Sequence, residues 1–272
     1  MYGAIIGDIV GSRLEFTNNK TMDFELFPTN VDFTDDTVMT IAVADALLQL
    51  DDNADENTIK TTLIDSLKIW GKQYPHSGYG GMFYSWLRGS TMYQPYNSFG
   101  NGSAMRVSSV GWLYDTLEKT QQMAQYTAEI THNHSDGIKG AISTATVIWL
   151  ARNNYTKNEI KLYIQDHFGY NLDRTIDEIR PIYKFNETCQ ETVPEAIISF
   201  LEGNSYEEII RLAISLGGDA DTIGAIAGSM AEARYEIPKE FISKANKLLT
   251  KDILSVIKKF HKEIGMWEGN YE

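Results

Sequence analysis

The sequence predicts an all-α fold, a compact single-domain orthogonal helical bundle. Apolar residues recur at helical spacing along most of the chain. No run alternates apolar and polar residues between hairpin turns, as a half-buried strand requires. Asp, Ser and Thr stand repeatedly just ahead of apolar stretches, where their oxygens accept the unpaired N–H groups of a helix start. At ordinary helix lengths the 272 residues give roughly a dozen helices or more.

The elements follow in order. Residues Gly3 to Phe16 begin as an apolar helix in which Gly3, Gly7 and Gly11 make one flat face for close packing. Ile41 to Leu50 form a crowded apolar helix behind Asp35 and Asp36. Ile59, Leu63, Ile64, Leu67 and Trp70 make a clear helical stripe. Ile142 to Leu150 and Ile209 to Ile214 suggest buried helices, the first preceded by Ser135 and Asp136. Ile223 to Ala233 carries Gly224, Ala225, Ala227, Gly228 and Ala231, small residues that admit a close neighbour. Ile253, Val256, Ile257 and Phe260 are the apolar side of a final amphipathic helix, with Lys258, Lys259 and Lys262 opposite. The chain has 6 prolines and no Gly/Ser-rich tract, so residues 1–272 are expected to form one domain.

Composition excludes several functions. There are 37 acidic against 24 basic residues, a formal charge of −13. Such a surface repels nucleic acid, whose affinity needs clustered Lys and Arg. No apolar run approaches the length of a membrane span. Cys189 is the only cysteine, so no intrachain disulfide forms. A reducing compartment, the cytoplasm, is the expected location, and a monomer the expected state.

Five motifs carry chemistry. Thr34-Asp35-Asp36-Thr37 sets two carboxylates side by side; one helix cap explains one of them. Gly217-Gly218-Asp219-Ala220-Asp221-Thr222 supplies hard oxygen ligands for Mg²⁺, Mn²⁺ or Ca²⁺, or else a capped helix after a glycine turn. Each is ambiguous alone. Together they offer four carboxylates with threonine hydroxyls beside them, enough to hold two cations against one substrate oxygen. Asn97 to Arg106 is a Gly/Asn/Ser loop running into a helix, a place for backbone N–H groups to meet phosphate oxygens. It lacks the Gly-Lys-Ser/Thr of a Walker loop and follows no strand. Thr131-His132-Asn133-His134 spaces its histidines poorly for a helical metal pair; His132 is a ligand contact or a structural histidine. Glu15, close to Arg13, is a surface ion pair or a site carboxylate.

These five pieces, in this order, resemble the ADP-ribosylglycohydrolase family over most of the chain. The matching motifs are Gly-Asp-x-x-Gly-Ser with Glu15, Thr-Asp-Asp-Thr, Gly-Asn-Gly-Ser-Ala-Met-Arg, Thr-His, and Gly-Gly-Asp-x-Asp-Thr. The resemblance implies a central cleft with two Mg²⁺ or Mn²⁺ ions. Thr34, Asp35 and Asp36 match one ligand set; Asp219, Asp221 and Thr222 match the other. With Asp35, Asp36 and Asp219, Glu15 is implied to be catalytic, by orienting substrate or activating water. Ser98, Phe99, Gly100 and Asn101, followed by Gly102, Ser103 and Met105, match the loop that receives the diphosphate and proximal ribose. His132 matches a ribose–phosphate contact, Tyr93 an aromatic stacked on adenine, and Tyr79, Gly80 and Gly81 a further cleft segment. The implied activity is hydrolysis at ribose C1″ of an ADP-ribosylated protein or small ADP-ribose conjugate. Ser98 stands where arginine-directed members can carry an acid, which leaves serine-linked and acyl-linked substrates open beside arginine. A non-catalytic ADP-ribose binder on the same fold is the alternative of another class.

Overall fold

The computed structural model describes residues 1–51, 53–89 and 94–266. Fifteen helices and no strand form among these residues; one isolated antiparallel bridge pairs Gly100 with Thr188. Their apolar faces meet in a core cluster to which nearly every helix contributes. No described helix is long and apolar enough to cross a membrane.

The first helix, α1 (Tyr2–Gly11), is buried along its whole length. A helix apolar on every side belongs inside a core. It lies against α13 (Ala220–Glu232), its most extensive helix neighbour. The glycine face explains how close they come. A Cβ added at Gly3, Gly7 or Gly11 would stand 2.2, 2.0 and 2.2 Å from the carbonyl oxygens of Gly228, Gly224 and Ala220. Backbone therefore rests on backbone at this crossing.

The second helix, α2 (Asp35–Leu47), packs beside α1, with α3 (Glu56–Gln73) behind it and α15 (Lys251–Glu263) across it. Thr34 caps α2, and Asp55 caps α3 by accepting from Thr58 N. Next come α4 (Gly81–Arg88) and three short or medium helices, α5 (Gly102–Met105), α6 (Val110–Leu113) and α7 (Leu117–Glu129). A long helix, α8 (Ser135–Arg152), packs on α7 and supports α5. The pattern sets Ser135 and Asp136 ahead of this helix; they are its first two residues, and the His134 ring caps it by accepting from Asp136 N at 3.2 Å.

Capping boxes open α9 (Lys157–Phe168) and α10 (Ile176–Ile179), from Thr156 with Glu159 and Thr175 with Glu178. Then α11 (Cys189–Glu202) and α12 (Tyr206–Ile214) flank α13, and α14 (Lys239–Asn246) leads to α15. The N-terminal ends of α2, α5 and α13 and the turn after α1 converge on one cleft.

Candidate functional site

The close crossing of α1 and α13 brings the distant acidic motifs together. Asp8, midway along α1, is fully buried and organises the first one. Its carboxylate accepts from Thr34 N at 3.0 Å, Thr34 Oγ1 at 2.8 Å and Thr37 N at 3.0 Å. It thus satisfies N–H groups at the start of α2 from outside that helix. Asp35 and Asp36 do not serve as its cap, which is Thr34. They are left directed at the cleft.

The second motif is set by a glycine turn. Gly217 and Gly218 have φ of +71° and +76°, a left-handed pair that side chains tolerate poorly. Lys20 Nζ closes this turn by donating to the carbonyls of Tyr183 and Leu216. Asp219 sits at the cap position of α13 but makes no side-chain cap bond. Its carboxylate accepts from Asn101 Nδ2 at 2.6 Å, which ties it to the glycine loop. Thr222 Oγ1 donates to Asp36 Oδ2 at 3.1 Å and joins the two motifs directly. The capping explanation, sound for either motif alone, fails for Asp35, Asp36 and Asp219.

Glu15 enters from the turn that ends α1. Glu15, Asp219 and Asp221 each place a carboxylate oxygen within 4.8 Å of the others. Sequence pattern divides the ligands into two sets with Glu15 outside; here Glu15 groups with the second set. It does so because Gly11 abuts Ala220, so the chain leaving α1 passes over the start of α13.

Among the described residues, no lysine or arginine neutralises these acids closely, and their ionisation shows it. Burial, then Asp219, Glu187 and Asp8, pushes Glu15 up to about 7. Burial, then Asp8 and Asp219, pushes Asp35 up to about 8. Burial raises Asp36 and Asp221 well above the usual range, and their carboxylate neighbours add to it. Asp8, also raised by burial, is held to about 6 by hydrogen bonds from Thr37 and Thr34. Asp36 Oδ1 is buried without a hydrogen-bond partner. Crowded carboxylates, an orphaned oxygen and no thiolate or imidazole among the donors fit hard divalent cations.

The cleft encloses about 510 Å³. Thr34, Asp35, Asp36, Asp219, Asp221, Thr222 and Glu15 line one side. Gly80, Gly81, Ser98, Phe99, Gly100, Asn101, Gly102, Met105 and His132 line the rest, with Phe83, Tyr96 and Arg106. The loop is less open to phosphate than its composition implies. Gly100 N donates to Ser98 Oγ at 3.1 Å within the loop and Asn101 N to Glu187 O at 2.8 Å across to the segment before α11, so two of its N–H groups are already engaged.

Two expected contacts stand elsewhere. Ser103 is fully buried and donates to Gly137 O at 2.7 Å, fastening α5 to α8 rather than lining the cleft. Tyr79 also falls outside the lining, with its ring against Phe83 at 5.7 Å. Tyr93 lies outside the described residues. The sequence motifs contain Asp8 and Arg106 without giving either a role, and they pass over Glu187 and Tyr96. Asp8 carried a signal as a charge inside an otherwise apolar run, and Arg106 as the last residue of the loop motif; Glu187 and Tyr96 reach the cleft by tertiary packing alone.

Comparison with known proteins places these features in company. A family model described as ADP-ribosylglycohydrolase matches residues 1–270. ADP-ribosylhydrolase ARH3 of Bos taurus is 27% identical over 309 residues, covering 86% of this chain and 83% of that protein. ADP-ribosylarginine hydrolase Tri1 of Pseudomonas putida is 23% identical, covering 90% of this chain and 72% of that protein. A solved ADP-ribosylglycohydrolase-related protein complex shares the fold with TM-score 0.74 and 22% identity, covering 97% of this chain and 95% of that one.

Proposed function

The chain belongs to the ADP-ribosylglycohydrolase family, and from that premise we propose that it hydrolyses the bond at ribose C1″ of an ADP-ribosylated side chain or small conjugate. The observation that carries the reading is the joining of both acidic motifs through Thr222 and Asp36, in a cleft of about 510 Å³. That volume suits a nucleotide-sized ligand.

Thr34, Asp35, Asp36, Asp219, Asp221 and Thr222 would hold two Mg²⁺ or Mn²⁺ ions. Bound there, the ions supply Lewis-acid polarisation and offset the diphosphate charge that this acidic protein would repel. Glu15, beside Asp219 and Asp221, takes the proton of the attacking water. Without cations, burial and then Asp219 raise its carboxylate to about 7; cations held beside it would lower that value and keep it ionised as a base. Asn101 keeps Asp219 oriented. The exposed ring of Phe99 and the apolar wall at Phe83 and Met105 receive the flat base. His132 meets the ribose–phosphate region.

Arginine is the first reading for the acceptor side chain. Glu187 at the cleft mouth, with Glu15, gives a negative rim for a guanidinium. An ADP-ribosylarginine hydrolase stands among the relatives. Ser98 favours a second reading, a serine-linked or O-acetyl-ADP-ribose substrate, since its hydroxyl accepts from Gly100 N and no acid occupies that position. A panel of arginine-, serine- and acyl-linked ADP-ribose, followed by mass spectrometry, separates them. The arginine conjugate is expected to release ADP-ribose fastest. Faster release from either oxygen-linked substrate reverses the order, and tight ADP-ribose binding with no release from any substrate marks a binding protein.

A further inference from the structure

Arg106 is 1% exposed, yet it lines the cleft. A guanidinium only donates hydrogen bonds. Its Nη2 donates to Thr127 O at 2.8 Å and to Thr131 Oγ1 at 2.7 Å. Thr131, also fully buried, stands 2.8 Å from His132 Nδ1. Thr131 Oγ1 has one proton and two lone pairs, and Arg106 occupies one lone pair. Two arrangements remain. Either the hydroxyl donates to an unprotonated Nδ1, or a protonated Nδ1 donates to the hydroxyl and the hydroxyl proton turns to Tyr96, which also feels Thr131.

Charge decides between them. A cation donating to Oγ1 withdraws electron density from it, making its O–H a better donor and its second lone pair a poorer acceptor. An imidazole nitrogen also accepts better than a phenol oxygen. We propose that Arg106, acting through Thr131, holds His132 with its proton on Nε2 and so makes the ring a hydrogen-bond donor to an acceptor oxygen in the cleft. Nε2 faces the glycine loop: a Cβ at Gly102 or Gly100 would lie 3.2 or 3.5 Å from it. A second proton is kept off the ring by burial first and by Arg106 next, which lower His132 well below the usual range. The ring thus offers one donor and no charge, and the opposite tautomer would set a lone pair against a phosphate oxygen. Thr131 and Arg106 are positioning residues; His132 makes the contact. The identity of the ligand rests on the proposed function, while the position of the proton does not.

Long-range ¹H–¹⁵N correlation on the full chain labelled at histidine tests this without ligand, His132 being assigned by the signals lost in His132→Gln. Nδ1 is expected unprotonated and Nε2 protonated; the reverse overturns the proposal. In Thr131→Val the two tautomers are expected to mix, and the Kd for ADP-ribose to rise about tenfold or more, the loss of one aligned hydrogen bond to an anion. Thr131→Ser is expected to keep both wild-type properties. Thr131→Val with unchanged tautomer and affinity overturns the role of Thr131, and if that variant does not fold, loss of the Nε2–H tautomer in Thr131→Ser supports the role no longer. Wild-type protein with the Nε2–H tautomer but no affinity for ADP-ribose refutes the proposed function and leaves the tautomer standing.

Discussion

Asp221→Ala is expected to lower kcat/KM for ADP-ribosyl hydrolysis by about a thousandfold or more, a loss of ~4 kcal/mol of transition-state stabilisation. The same change is expected to leave metal-free thermal stability equal to or above wild type. Both expectations follow from the surroundings of Asp221. It is buried, and burial and then Asp36, Asp219 and Glu15 raise it well above the usual carboxylate range. Its carboxylate accepts the local hydrogen bond from Thr222 N at 2.9 Å and shares a side-chain hydrogen bond with Asp219. A carboxylate held for structure would cost stability when removed. One held for a cation costs activity, and its removal relieves repulsion among its neighbours. Kinetics alongside thermal melting in chelator separate the two. A near-wild-type rate, or a large loss of stability, counts against a metal role for Asp221.

Gly7→Val carries the second large effect, on the fold itself. Its first side-chain carbon would stand 2.0 Å from Gly224 O and 2.3 Å from Gly224 C. Neither atom is a flexible side-chain end, so α1 and α13 must separate. Overpacking of this kind costs about 3 kcal/mol or more, a large share of a total near 5–15 kcal/mol. At this chain length the expected fall in Tm is roughly 6–12 °C. Gly80→Ala is the control, since nothing lies within 4 Å of the added carbon. It is expected within about 0.5 kcal/mol of wild type. Equal melting of Gly7→Val and wild type would show that α1 and α13 have room between them for a side chain. Activity is expected to fall with stability at Gly7, because the same crossing aligns Glu15 with Asp219 and Asp221.

The helical class and the glycine crossing were legible in sequence because both rest on local spacing. Gly3, Gly7 and Gly11 mark one face of one helix, and the small residues from Gly224 to Ala231 mark the other. Two acidic pairs could be seen, but not that neither pair caps its helix; that depends on Thr34 and Asp8 taking the N–H groups of α2. Glu15 looked like a surface charge beside Arg13. Its place in the cleft depends on how the chain leaves α1, and the resemblance supplied what spacing could not. Arg13 donates instead to Thr29 O at 2.7 Å. Ser103 sat in a suggestive loop, yet a one-residue difference along α5 turns its hydroxyl toward α8 while Gly102 faces His132. Glu187 and Tyr96 carried no motif, because the chain reaches the cleft there only after distant helices pack.

The central claim, that both acidic motifs form one metal-dependent site for ADP-ribosyl hydrolysis, meets its most direct test in product analysis of metal-stripped protein. The full chain is treated with EDTA, desalted, supplied with an ADP-ribosylated peptide, and then given Mg²⁺ or Mn²⁺. No turnover is expected before the metal is added, and intact ADP-ribose is expected as the product afterwards. Full turnover in EDTA, or release of AMP or phosphate in place of ADP-ribose, contradicts the claim.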